Sequence, residues 1–258
     1  MAINIYEPFQ WQEVISYLIV GNKSALLFDS GNGIGNIQAI VEQLTNKPIQ
    51  VLNSHSHFDH IGGNHQYKKI LSPATDFSIA NSKGNESSMV KDEVSSQALC
   101  KGLPRGVTEE NHSIKPYKIT SEVKDGDIIN LGDRSLKIMH IPGHTDDSIA
   151  LFEQETGYLW TGDSFYEGPI WLWFPETDLV AYEKSIARLA GLVPQLKALF
   201  PAHNTPYSKP SLLTDTHKAL QLILQGKAKP RPYSTFEGTV LYEFDGFSFL
   251  MRSDEFNL

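Results

Sequence analysis

The stretch VLNSHSHFDHIGGN, Val51 to Asn64, decides how the chain is read. Three histidines and an aspartate fall within six positions, His55 to His60, between an apolar run and the glycine pair Gly62–Gly63. A loop that opens where a buried strand ends is anchored on one side, so it can hold donors in fixed directions without burying unpaired backbone. His55 and His57 are two apart, and in extended chain that spacing sends both side chains to one side, where they can reach one cation. Asp59 and His60 follow where the chain turns toward the glycines, and they can face a second cation. The glycines allow a tight turn and the close approach of a following helix. Neutral imidazoles and carboxylates suit zinc, iron or manganese, and the lack of thiolates argues against a purely structural zinc.

Working outward, IQVLN (Ile49–Asn53) reads as the buried strand that feeds this loop. Before it, Pro48 closes an amphipathic segment, IGNIQAIVEQL (Ile34–Leu44), in which Ile37, Ile40, Val41 and Leu44 stand at helical spacing. VISYLIV (Val14–Val20) and SALLFDSG (Ser24–Gly31) precede it as strands. The result is a strand–helix–strand unit with a polar loop at a strand's carboxyl end, where α/β folds place active sites. Residues 78–118 are polar and punctuated by Gly102, Pro104, Gly106 and Pro116, which predicts a partly helical excursion, with a lid as one reading of it. Strand signals resume at SLKIMHI (Ser135–Ile141), SIALFE (Ser148–Glu153) and GYLWTG (Gly157–Gly162). Helical patterns cover Leu179–Gly191 and Leu212–Gln225, with ALFPA (Ala198–Ala202) as a strand between them, and the strands GTVLYEF and FSFLMR finish the chain. No short repeat is present, which excludes a solenoid. Two similar α/β halves packed sheet to sheet, without a linker, are expected to make a single domain over residues 1–258.

A chain of 258 residues can bury a substantial core. Its net charge of −8 weighs against nucleic acid or an anionic membrane surface as a partner. The single cysteine, Cys100, rules out an internal disulfide and reads as a small packed side chain. No basic segment followed by an apolar one is seen at the start, and no apolar run reaches membrane-spanning length, so a cytoplasmic setting is expected.

Four further stretches place a ligand-type residue just past a strand: LLFDSG with Asp29, IPGHTDDS with His144, LWTGDSF with Asp163 and LFPAHNT with His203. HxHxDH at His55–His60, then GH, GD and AH in this order, resemble the metallo-β-lactamase superfamily. The resemblance runs from the Asp29 strand to beyond His203. It implies an α/β fold, a four-layer αβ/βα sandwich with a two-metal site at one edge of its sheets. It also implies that His55, His57 and His144 hold a first metal and Asp59, His60 and His203 a second. Asp163 would bridge the two, and Asp29 would orient a ligand without binding metal. The cofactors expected are two divalent ions, zinc first, with iron and manganese compatible. His65, His112, His140 and His217 are read as surface or packed histidines, and Asp146 and Asp147 as caps of the turn after His144.

Two dications about 3.5–4 Å apart can share a water, lower its pKa toward neutrality and polarise a carbonyl oxygen. The resemblance therefore implies a hydrolase, with Asp59 able to take part in proton transfer. Flavodiiron-type oxygen reductases carry Glu where this chain has His57, and persulfide dioxygenases use a single iron with fewer ligands, so both redox branches are disfavoured. True β-lactamases of the family generally lack the carboxylate that Asp163 supplies. Thioesterase, lactonase, glyoxalase II and phosphodiesterase branches remain. The tail from Lys227 is short and partly strand-like, which speaks against glyoxalase II proper. Tyr166, three residues past Asp163, is placed like the tyrosine that contacts the substrate carbonyl in lactonase members. Tyr-x-Gly, then Trp and Pro, then a helix with Tyr182, resembles acyl-CoA-hydrolase members more closely. Trp171, Trp173 and Phe174 cannot all point inward, so at least one should line the pocket and favour an apolar acyl or ring substituent. The same loop could equally serve a homodimer contact. Ester or thioester hydrolysis of a small molecule ranks first, lactone opening is a variant of it, and phosphodiester or β-lactam-type amide cleavage follows. A metal-stabilised sensor and a redox enzyme are the non-hydrolytic readings.

Overall fold

β1 (Ala2–Tyr6) pairs antiparallel with β2 (Ile15–Val20), which pairs antiparallel with β3 (Ala25–Phe28). The computed structural model describes residues 2–7 and 9–254. These divide between Ile138 and Met139 into two units, taken in turn.

In the first unit, α1 (Ile37–Leu44) crosses from β3 to β4 (Ile49–Leu52), which lies parallel to β3 with Leu27 opposite Val51. The helix starts where the side chain of Asn36 accepts the Ala39 amide hydrogen at 3.0 Å. It buries Ile37 and Val41 against Leu18, Leu27, Val51 and Ile70. That is the packing the helical spacing of its apolar residues predicts. After β4 come the single-turn α2 (Phe58–Ile61), the strand β5 (Ile70–Ser72), the helices α3 (Asp76–Asn81) and α4 (Ser87–Val90), and the edge strand β6 (Ser121–Glu122). The sheet order is β1-β2-β3-β4-β5-β6. Every side chain of β3 is buried, as expected of a strand covered on both faces.

The 78–118 excursion holds α4 and a 3₁₀ turn over Lys91–Val94. It is tied down by a small core of Ile61, Val90 and Ile114 and by bridges from Asn85 to Ile114 and from Gln10 to Leu99. Cys100 is a correction: it is exposed rather than packed, and its amide hydrogen goes to the Phe9 carbonyl at 2.8 Å. β7 (Ile128–Asn130) then pairs antiparallel with β8 (Ser135–His140), the strand within which the division between the units falls.

In the second unit, β9 (Ile149–Glu153) pairs antiparallel with β10 (Tyr158–Gly162), which pairs parallel with β12 (Ala198–Pro201). Within this unit the sheet order is β12-β10-β9. Between β10 and β12 lie β11 (Gly168–Leu172) and α5 (Leu179–Ala190), and α6 (Ser211–Leu224) follows β12. β13 (Arg231–Pro232), β14 (Thr239–Glu243) and β15 (Phe247–Arg252) join β11 in a sheet of order β11-β15-β14-β13. α5 and α6 cover this unit's core, where Tyr182, Ile186, Leu220 and Ile223 meet Phe165, Leu199 and Phe249. The closing segment is strand rather than helix through Arg252, and its last four residues, 255–258, lie outside the described ones. No described helix is long and apolar enough to cross a membrane.

Candidate metal centre

Each unit places its predicted ligands at the carboxyl ends of strands. In the first, Asp29 follows β3 with φ 65°, a left-handed conformation that turns its carboxylate back over the next loop. Its Oδ1 accepts the Ser54 amide hydrogen at 2.7 Å, and its Oδ2 lies 3.1 Å from Nδ1 of His60. His60 is fully buried, so the acidic neighbour holds the proton on Nδ1 and leaves Nε2 as the lone-pair nitrogen. That Nε2 stands 3.3 Å from Oδ2 of Asp59. Nε2 of His55 and Nδ1 of His57 are 2.9 Å apart, and the rings of His55 and His60 are centred 4.1 Å from each other. Ring nitrogens at such separations either share a proton or aim lone pairs at a common cation. The Ser54 hydroxyl, 3.1 Å from Nδ1 of His55, steadies that ring from behind.

The loop keeps this shape because of backbone packed on backbone. A Cβ at Gly62 would lie 2.3 Å from the carbonyl carbon of Asn32 and from the amide of Gly33, and a Cβ at Gly33 would lie 2.6 Å from the Gly62 oxygen. Gly63 approaches the Ser30 carbonyl in the same way, at 2.7 Å. The tight turn read from the glycine pair is thus a close approach to the turn after β3.

Two buried or half-buried carboxylates sit behind this half-site. Glu7 receives both the backbone and the side-chain amide hydrogens of Asn32, at 3.1 and 3.0 Å. Burial nevertheless holds it above the usual carboxylate range, and the charge of Asp59 adds to the rise. Glu93 accepts the Trp11 indole hydrogen at 2.8 Å and is lifted by burial to about 7.

In the second unit, His144 follows β8, and its Nδ1 donates to the Trp171 carbonyl at 2.8 Å. Nε2 is left 3.7 Å from Oδ2 of Asp163, while Nε2 of His203 lies 3.1 Å from Oδ1 of the same carboxylate. Asp163 therefore addresses two imidazoles with two different oxygens. α5 braces both loops. Gly143 (φ 142°) lies so close to it that a Cβ would come within 2.3 Å of the Tyr182 Cα. The Tyr182 hydroxyl donates to the Ser164 carbonyl at 2.7 Å, next to Asp163. Burial, with Asp163 adding, raises the pKa of that phenol. The His203 loop is pinned by Asn204, left-handed at φ 63°, whose amide donates to the Glu167 carbonyl at 2.7 Å.

Tyr166 is buried with its ring centred 5.1 Å from that of His203, and its hydroxyl donates to the Pro169 carbonyl at 2.6 Å. It would meet a substrate only on giving up that bond. Trp171, Trp173 and Phe174 are all half-buried and form one aromatic cluster. Trp173 stacks between Phe174 (4.9 Å) and Phe236 (5.1 Å), and Phe174 meets the His144 ring edge-on at 6.2 Å. Phe236 was not read from the sequence, and neither were Ser54 or the Trp171 carbonyl as supports of ligands. Among the other histidines, His140 binds the Asp146 carbonyl at 2.7 Å and His217 pairs with Glu183 at 3.1 Å.

The donor set fits divalent metal. Asp59 and Asp163 are buried carboxylates among imidazoles, and burying such charge is costly unless it is paired or coordinates a cation. Imidazole and carboxylate side chains such as these could hold a metal ion. Their chemistry suits zinc, iron or manganese without choosing among them.

The chain is similar to known proteins over most of its length. It is 27% identical over 201 residues to the acyl-coenzyme A thioesterase MBLAC2 of Homo sapiens, covering 72% of this chain and 71% of that one. It is 26% identical over 170 residues to the hydroxyacylglutathione hydrolase GloC of Haemophilus influenzae, covering 66% of this chain and 74% of that protein. An archaeal metallo-β-lactamase superfamily protein from Sulfolobus tokodaii superposes with a TM-score of 0.61 at 18% identity, over 90% of each chain. The mixed α/β fold is thus of the metallo-β-lactamase type. The profile of the metallo-β-lactamase superfamily matches residues 11–234, and the chain belongs to that superfamily.

Proposed function

We propose that this protein is a dinuclear metal-dependent hydrolase that cleaves a thioester or a related carboxylic ester of a small molecule. In this reading the two units form one hydrolase domain. His55, His57 and His144 would hold one divalent ion and Asp59, His60 and His203 the other, with Asp163 serving both. The observation that carries the reading is the Asp163 carboxylate, which offers one oxygen toward His144 and the other toward His203. The single family profile running through both units supports their joint service, and the thioester chemistry in the names of the two relatives favours that bond class.

The two ions would supply an activated water as nucleophile and neutralise charge that develops on a carbonyl oxygen. The chain's own residues set the conditions for that chemistry. Asp29 keeps the His60 proton on Nδ1, and the Trp171 carbonyl does the same for His144. Asp59 is the carboxylate placed to receive a proton, at the oxygen beside His60. Phe174, Trp173, Trp171 and Phe236 present an apolar wall beside the His144 ring, suited to an acyl chain or ring.

Replacing Asp163 with Ala tests the scheme. Elemental analysis should show loss of bound metal, and turnover of an acyl thioester should fall by about 100-fold or more. Intact stoichiometry and turnover would overturn it. A panel of acyl thioesters, lactones and phosphodiesters tests the bond class, and a preference for phosphodiesters would displace the thioester from first place.

A further inference from the structure

Within the first unit lies a cavity of about 500 Å³ that the metal centre does not use. Its walls are the Gly33–Asn36 turn, His65 with Gln66, and the 106–115 part of the excursion. The volume suits a small-molecule group. The chain carries 30 acidic residues against 22 basic ones, yet among the described residues no carboxylate lines this space. The ionisable groups that line it are His65, His112 and Lys115.

His112 is 5% exposed and lines the cavity. His65 uses Nδ1 on the Gly62 carbonyl at 3.1 Å, which leaves Nε2 for another partner. Burial lowers the pKa of His65, and Lys115, exposed at the edge, adds to the fall. The amino end of α1 opens on the same wall and adds partial positive charge. Two imidazoles and an ammonium, with no carboxylate among the described lining residues, are the recognition chemistry of a phosphate group.

We propose that this cavity binds a phosphate group carried by a small-molecule ligand. His65 continues the segment that bears His55–His60, so the cavity and the first half of the metal centre are built on one stretch of chain. Resting on the proposed thioesterase reading, the natural source is a phosphate on the leaving thiol. A free phosphate compound is the other source.

Calorimetric titration with pyrophosphate and with adenosine 3′,5′-bisphosphate tests the site without any turnover. Saturable binding is expected, weakened about tenfold by Lys115→Glu, an exposed change that leaves folding intact, and similarly by His112→Asn. No saturable binding, or equal binding by Lys115→Glu, would overturn the proposal. A kinetic arm then compares acyl-coenzyme A with the acyl-pantetheine that lacks the nucleotide phosphates. A raised KM in Lys115→Glu for the first alone, at unchanged kcat, assigns the phosphate to the substrate. Equal KM changes, or none, with binding retained, assign the site to a free phosphate compound and detach it from the thioester. Failure to hydrolyse either thioester would count against the proposed function, and the titration would still report on the cavity.

Discussion

Nδ1 of His60 lies 3.1 Å from Oδ2 of Asp29, while the other oxygen of that carboxylate holds the Ser54 amide at 2.7 Å. One side chain therefore sets both the tautomer of a ligand and the entry of the loop that carries it. Asp29→Asn keeps the left-handed backbone and an acceptor for Ser54 but can turn an N–H toward His60. The imidazole would then carry its proton on Nε2, the nitrogen needed for metal. Metal affinity should drop by about 10–100-fold, measured by competition with a chelator. Unchanged affinity would mean that Asp29 only shapes the turn.

Gly143 is predicted to accept no side chain. Gly143→Ala would press a methyl into the Tyr182 backbone at a φ of 142°. Unfolding should become easier by about 1–3 kcal/mol, and metal retention should fall because His144 is the next residue. Thermal melts with and without added zinc check both parts. A variant that melts and loads like the parent would show that α5 is free to move aside.

Glu93 makes stability depend on pH. Burial lifts it from 4.5 to about 7, against the pull of the Trp11 hydrogen bond. Between those values the folded chain keeps a proton that the unfolded chain has released. Stability should therefore fall as pH rises through that window and level off above it. Glu93→Gln should lack this decline and gain on the order of 1 kcal/mol at pH 8, a figure reduced for solvent screening. Urea melts of metal-free protein at pH 5 and pH 8 compare the two chains. The same decline in both would assign it elsewhere.

Phe236 completes the stack over Trp173 at 5.1 Å. If the wall receives an acyl chain, Phe236→Ala should lower kcat/KM for long-chain acyl thioesters by about tenfold and leave acetyl thioesters nearly unchanged. A uniform loss across chain lengths would make the stack a structural support instead.

The legible parts of this chain are those in which residue type and chemistry coincide. Buried apolar runs such as Leu26–Phe28 and Val51–Leu52 read directly as strands, and the amphipathic spacing from Ile37 to Leu44 read as a helix. The two-residue strands Ser121–Glu122 and Arg231–Pro232 are exposed and carry no apolar signal, so they passed unread. The hold on His144 comes from a carbonyl of Trp171, an atom every residue owns, and side-chain identity cannot announce it. Phe236 lies in a loop, and Trp171 and Trp173, against which it packs, are far away in sequence. Cys100 misled because cysteine is so often buried, whereas the non-periodic segment around it gives no sign of which face meets solvent.

Gly33 and Gly62 meet main chain to main chain. Two sites distant along the polypeptide thus behave as one hereditary unit. A saturation scan should find both closed to every side chain, and no second change elsewhere should reopen either, because what each would displace is peptide rather than a movable group. The spacing between the two turns is in effect a ruler cast in backbone, and natural variation in this chain must work around it.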